Sequence, residues 1–145
     1  MAVAPLAFIT GASSGIGQAL ALRYVAAGWR VALVARRQAE LTAWAAAQGW
    51  PAGRWQVYGA DVAVIDAIVA AGQACIAAQG VPDVVIANAG ISIGMDTAER
   101  DDIDVMARTF AVNNTGMAAT FHPFVEPMRQ RGSGTLVAIA SVAAI

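Results

Sequence analysis

Thr10-Gly11-Ala12-Ser13-Ser14-Gly15-Ile16-Gly17 is the stretch of this chain whose residue types and spacing best suit chemistry. An apolar run at residues 6–9 leads into it, and a helix-like segment at residues 16–27 leads out. Glycines allow a tight turn and a close backbone approach to a ligand, while a helix start offers unpaired N–H groups and the positive end of a dipole. A phosphate fits there without any basic side chain, held at Gly11, Ser13, Ser14, Gly15, Ile16 and Gly17. The spacing is G-x-x-x-G-x-G, which departs from the common G-x-G-x-x-G fingerprint. A tight strand-to-helix turn without a ligand is the alternative reading.

The elements around this turn alternate. Apolar runs at residues 6–9, 30–34, 54–58, 83–87 and 135–140 read as strands, the third being the least apolar and so nearest a sheet edge. Helix-like segments at 16–27, 38–48 and 64–79 separate them, each followed by a glycine. A longer helix is expected at residues 102–131, with Pro123 and Pro127 bending or loosening its later turns. Strands alternating with helices indicate βαβ units, and hence an α/β fold with a Rossmann-like, doubly wound parallel sheet of five strands. The polar candidates then fall at one edge of that sheet. Residues 10–17 follow strand one, Arg36 and Arg37 strand two, and Asp61 strand three. Asn88-Ala89-Gly90 follows strand four, and Ser141 strand five.

The bulk numbers agree with one domain over residues 1–145. A content of 58% hydrophobic and 13% charged residues suits strands buried on both faces. The charge-free opening, residues 1–22, lacks a basic leader and is interrupted by glycines, so no membrane segment is expected. A net charge of −1 gives no general field for nucleic acid. Cys75 is the single cysteine and excludes an internal disulfide; a cytoplasmic protein is the expectation. Asp96, Glu99, Asp101, Asp102 and Asp104 cluster where the long helix begins, which reads as capping and not as a metal site. His122 has no visible catalytic partner set, and Trp29, Trp44, Trp50 and Trp55 are too dispersed to stack nucleobases.

In order along the chain, these motifs resemble those of the short-chain dehydrogenase/reductase family. Thr10-Gly11-x-x-x-Gly15-x-Gly17 is similar to its cofactor turn, and Asp61-Val62 to the pair that holds the adenine ring. Asn88-Ala89-Gly90 resembles its N-A-G motif, which stabilises the central sheet and lines the nicotinamide ribose pocket. Val112-Asn113-x-x-Gly116 matches the long-helix motif whose Asn113 would join a catalytic relay, and Ala140-Ser141-Val142-Ala143 the segment whose Ser141 would polarise a carbonyl. Bland readings stand beside these: Asp61 as a helix cap, Asn113 as a solvent-facing residue, Ser141 as a strand-end hydroxyl. The resemblance implies an alcohol/carbonyl substrate and a homo-oligomer built on the long helix around residues 105–128.

Cofactor choice follows from charge. An NAD site places an acid at the end of strand two, where this chain has Ala35 followed by Arg36 and Arg37. Two guanidiniums can pair with a 2′-phosphate and Ser13 can add a hydroxyl, so NADP(H) is expected over NAD(H).

The family's proton chemistry uses a tyrosine beyond the catalytic serine and a lysine one helical turn after it. All nine residues of the Lys+Arg count are arginine, and Tyr24 and Tyr58 are followed four positions later by Gly28 and Val62. The chain is therefore expected to be the N-terminal part of an oxidoreductase, incomplete after strand five, whose last strand is an exposed apolar edge. A catalytically silent half-domain that binds nucleotide or assembles is the alternative.

Overall fold

A computed structural model describes residues 2–141. Five runs rich in Val, Ile, Leu and Ala form a single parallel sheet: β1 (Leu6–Thr10), β2 (Arg30–Ala35), β3 (Trp55–Gly59), β4 (Val84–Ala87) and β5 (Thr135–Ala138). Their order is β3-β2-β1-β4-β5, so the less apolar third strand does lie at an edge. Helices α1 (Gly15–Ala26), α2 (Gln38–Ala47) and α3 (Ile65–Gln79) follow the first three strands. After β4 come α4 (Arg100–Phe110), a π-helical turn (Ala111–Thr115) and α5 (Gly116–Arg131). The anticipated bounds shift by at most two residues.

Alternation along β1 and β2 divides the core into two layers. Leu6, Phe8, Ala32 and Val34 face Ile68 and Cys75 of α3 and Phe124 and Met128 of α5. Phe8 and Phe124 meet edge to face, with ring centroids 4.8 Å apart. Ala7, Ile9, Val31 and Leu33 face Ala21 of α1 and Leu41 and Ala45 of α2, with all four tryptophans packed at that layer's margin. Every residue of β1 is buried, whereas β5 is mostly exposed, with Leu136 and, just past its end, Ile139 facing solvent.

The long helix corrects one expectation. Its irregularity lies at residues 111–115, ahead of the prolines, and Pro123 and Pro127 stand inside α5. Pro123 faces Gly72 of α3, where an added Cβ would come within 2.7 Å of the Pro123 Cγ. The missing side chain at Gly72 makes room for the ring between the two helices. The π turn falls instead on Asn113 and Asn114, poor helix formers, the first of which has partners outside the helix.

Side chains tie the two ends of the sheet in different ways. At the amino end of the strands, Asp83 accepts from the Leu6 N–H at 2.8 Å, and Arg131 donates to the carbonyls of Val81 and Pro82. At the carboxyl end, a clamp joins β1 to β4. The buried Thr10 Oγ1 accepts from the backbone N–H of Asn88 at 3.0 Å and of Ala89 at 3.1 Å. The Asn88 Nδ2 donates back to the carbonyls of Thr10 and Gly11, each at 3.2 Å. In the sheet order this is where the strand sequence reverses: β2 and β3 lie on one side of β1, and the chain then crosses from β3 to β4 on its other side, the point at which open α/β sheets leave a crevice.

Behind the sheet, Tyr58 donates to Gln79 Oε1 at 2.9 Å beside Cys75. Burial, reinforced by Cys75, pushes the Tyr58 phenol well above its ordinary range. Burial likewise pushes the Cys75 thiol up to about 12, against smaller opposing effects of Tyr58 and Arg30. Both groups therefore support the fold while they are neutral.

Two outcomes follow. Thr10→Val keeps the shape but leaves the Ala89 N–H without its acceptor and the Asn88 N–H with the Ile86 carbonyl alone, and denaturant unfolding is expected to show a loss of about 1–3 kcal/mol; an unchanged stability would contradict the clamp. Because both acids have raised pKa values in the folded state, their contribution holds below the ordinary thiol pKa of 9.0 and is lost as pH rises toward about 12. Unfolding free energy should accordingly fall between about pH 9 and about pH 12, and fall less in Cys75→Ala.

Candidate functional site

The strand ends on the clamp side open onto a cleft of about 320 Å³. Its floor is the turn between β1 and α1. Gly11 and Gly15 have φ values of +63° and +51°, a region that disfavours any other residue. At Gly11 a Cβ would also lie 2.9 Å from the Ala89 Cα, so β1 and the loop after β4 approach more closely than a side chain allows. At Gly17 a Cβ would overlap the Gly11 carbonyl oxygen; this glycine lets α1 start directly beneath the turn.

The start of α1 carries its positive end into the cleft. Ser14 is the N-cap residue in extended conformation, yet its side chain caps nothing, and the first turn contains no acid. The Gln18 N–H bonds to the Ser14 carbonyl, so the amides ahead of it belong to the turn that a helix leaves without intrahelical partners. Such an end attracts an anion.

The cleft walls come from the other strand ends. Arg36 follows β2 and lines the cleft together with Val34 and Ala35. Arg37 does not line it: this residue precedes α2, and its guanidinium pairs with Glu40 at 3.2 Å in solvent. Beyond β3, Asp61 and Val62 line the wall, and Asp61 Oδ1 accepts from the Ala63 N–H at 2.9 Å. The α3 N-cap is Val64, so Asp61 shapes the loop and is not that helix's cap. Gly116 sits at the start of α5, where a Cβ would lie 2.7 Å from the Val62 carbonyl oxygen.

The loop after β4 closes the fourth side. Asn88, Ala89 and Gly90 all line the cleft, Asn88 through the clamp already described. Asn113 reaches this loop from the π turn without lining the cleft. Its Oδ1 accepts from the Ile91 N–H at 2.8 Å and its Nδ2 donates to the Ile91 carbonyl at 2.7 Å. Both ends of the amide are thereby committed, so Asn113 is no solvent-facing residue and its side chain acts as a positioning group. Ser141 lies past β5 at the same end of the sheet, exposed and outside the cleft lining. Val142 and Ala143 of its segment lie outside the described residues.

The acidic residues around the start of α4 make local contacts. Asp96 Oδ1 accepts from the Ala98 N–H, Asp102 Oδ2 accepts from the Asp96 N–H, and Asp104 pairs with Arg100. Sequence reading passed over Arg108 and Val112 as wall residues and the Thr10 hydroxyl as a clamp. A threonine closing an otherwise apolar strand, and the four-residue steps from Arg108 to Val112 to Gly116, were the signals available. No described helix is long and apolar enough to cross a membrane.

Comparison with known proteins places this geometry. A family model described as short chain dehydrogenase matches residues 5–145. A Drosophila melanogaster protein called dehydrogenase/reductase SDR family protein 7-like is 36% identical over 138 residues, covering 92% of this chain and 42% of that protein. D-threitol dehydrogenase of Mycolicibacterium smegmatis is 32% identical over 139 residues, covering 96% of this chain and 53% of that protein. The crystal structure of a short-chain dehydrogenase from Streptomyces avermitilis superposes with a TM-score of 0.84 at 32% identity, covering 95% of this chain and 49% of that one. The chain thus spans about half the length of the relatives it matches. With every strand of its sheet inside the matched span, the chain belongs to the short-chain dehydrogenase family, whose members are oxidoreductases that use a nicotinamide cofactor.

Proposed function

We propose that the cleft binds NADP(H) in preference to NAD(H), and that the protein uses it to interconvert an alcohol and a carbonyl compound. The observation that carries the cofactor choice is Arg36, which lines the cleft directly after β2 beside Ala35. Asp61, on the loop after β3, is the one carboxylate among the lining residues. A second arginine at this strand end, Arg37, is taken up by Glu40, so the proposal rests on Arg36 with Ser13 as a neighbouring hydroxyl donor.

The residues fit such a cofactor on steric grounds. At Gly15 nothing lies within 4 Å of where a Cβ would stand, so the absent side chain leaves the mouth of the turn open to a bulky group. Gly11, Ser13, Ser14, Gly15 and Ile16 would hold the pyrophosphate with backbone amides and hydroxyls, above Gly17. Asp61 and Val62 would hold the adenine, and Asn88, Ala89 and Gly90 the ribose on the nicotinamide side. A bound nicotinamide supplies or takes up a hydride. Asn113 holds Ile91 in place, keeping the loop after β4 against the long helix. Ser141 stands at the sheet end where a substrate oxygen would be polarised.

Proton transfer needs a further group. Tyr58 is buried and bonded to Gln79, and Tyr24 packs edge to face on Trp29 with centroids 4.9 Å apart, so neither serves the cleft. With no lysine in the sequence, the residues given supply no Tyr-Lys pair. The second reading is that these residues form a catalytically silent module that binds nucleotide or assembles. The long helix remains the proposed subunit contact, and a cytoplasmic location the proposed setting.

Arg36→Asp removes a charge-assisted partner and adds a repelling carboxylate. It is expected to weaken NADPH binding about 10- to 100-fold while NADH binding changes by less than about twofold. Fluorescence titration of both cofactors checks this; equal effects on the two would contradict the assignment.

A further inference from the structure

All nine basic residues of the Lys+Arg count are arginines, and most are spent on the chain's own structure. Arg30, Arg54 and Arg131 donate to backbone carbonyls. Arg37, Arg100 and Arg129 pair with neighbouring carboxylates. Arg23 occupies the last turn of α1, where the helix dipole favours a cation. Arg36 and Arg108 remain. Both line the cleft, and neither guanidinium has a hydrogen-bond or ion-pair partner among the described residues. Arg36 has a part in the proposed cofactor choice; Arg108 has none so far.

The place of Arg108 on the helix tells which part of the cleft it overlooks. Gly116 rests against the Val62 carbonyl, and Val112, one turn earlier, lines the cleft. Arg108 stands one further turn out, exposed at the rim. The wall below it is apolar, made by Ala60, Val62, Ala63 and Val112. Asp61 stands at its edge with one oxygen committed to the Ala63 N–H. A slot lined by valines and alanines excludes a phosphate, because nothing there replaces the water a phosphate would lose. It suits a flat heteroaromatic ring carrying an amino group. An arginine hanging over such a ring can lay its planar cation on the π face.

We infer that Arg108 covers the adenine base of the bound dinucleotide by stacking its guanidinium on the ring, an inference that rests on reading this cleft as the cofactor site. Arg108 is thus a base-binding residue common to both cofactors, whereas Arg36 selects between them. The two roles separate experimentally.

Arg108→Ala, at an exposed position, should keep the wild-type melting temperature. In calorimetric titrations it is expected to weaken NADPH, NADH and adenosine 2′,5′-bisphosphate alike, by about three- to tenfold. The loss should persist at about 0.5 M salt, where long-range attraction for phosphate is screened. Unchanged affinities, a loss confined to NADPH, a loss that spares the bisphosphate, or one abolished by salt would each overturn the stacking role. If the wild-type protein binds neither dinucleotide, the cofactor reading itself fails and this inference falls with it.

Discussion

The hydrogen bonds exchanged between Thr10, Gly11, Asn88 and Ala89 hold together the part of the sheet that its topology tends to open. β1 lies between β2 and β4; the chain leaves β1 through α1 toward β2, whereas β4 is reached from β3 through α3. The strand ladder alone cannot join the backbones where they diverge into separate loops. A threonine hydroxyl and an asparagine amide do so by side chain. Two N–H groups and two carbonyls find partners that the ladder no longer supplies, at a place where an unpaired polar group costs about 1–3 kcal/mol. The clamp satisfies the backbone and fixes the width of the cleft at once.

Around it, missing side chains set the spacing of everything else. Gly11 brings the β1 turn against Ala89, Gly17 brings α1 against Gly11, and Gly116 brings α5 against Val62. The three contacts connect the turn, the loop after β4, the loop after β3 and the long helix. Asn113 adds the last link by pairing both ends of its amide with Ile91. The cleft is consequently lined mainly by small or uncharged residues, with no charged lining residue among the described residues besides Arg36, Asp61 and Arg108. Such a lining binds by dipoles and shape, and lets a few charged side chains decide which ligand fits.

Much of this was legible in the sequence, for identifiable reasons. Uninterrupted apolar runs such as residues 31–35 mark strands buried on both faces, and the turn after residue 10 carries a glycine spacing that little else requires. What escaped were features set by partners distant in the chain. Asn113 looked as suited to solvent as to a site, because its partner Ile91 lies 22 positions away. Pro123 and Pro127 carried a local signal for a bend, yet the long helix departs from α geometry at Asn113 and leaves room for Pro123 at Gly72. Arg37 resembles Arg36 in type and place, but it stands outside the cleft lining and pairs with Glu40 in solvent. Local composition does not reveal which of two neighbouring arginines finds a partner first.

The central claim is that the carboxyl end of this sheet, bounded by the clamp, holds a nicotinamide dinucleotide. Amide chemical-shift mapping of the protein during addition of NADPH tests it most directly. The account predicts shifts concentrated at Gly15, Ile16, Gly17, Arg36, Asp61, Val62, Ala89, Gly90 and Ile91, with Asp83, Leu6 and Val81 at the opposite end of the sheet unmoved. Shifts centred on that opposite end, or none at saturating cofactor, would contradict it.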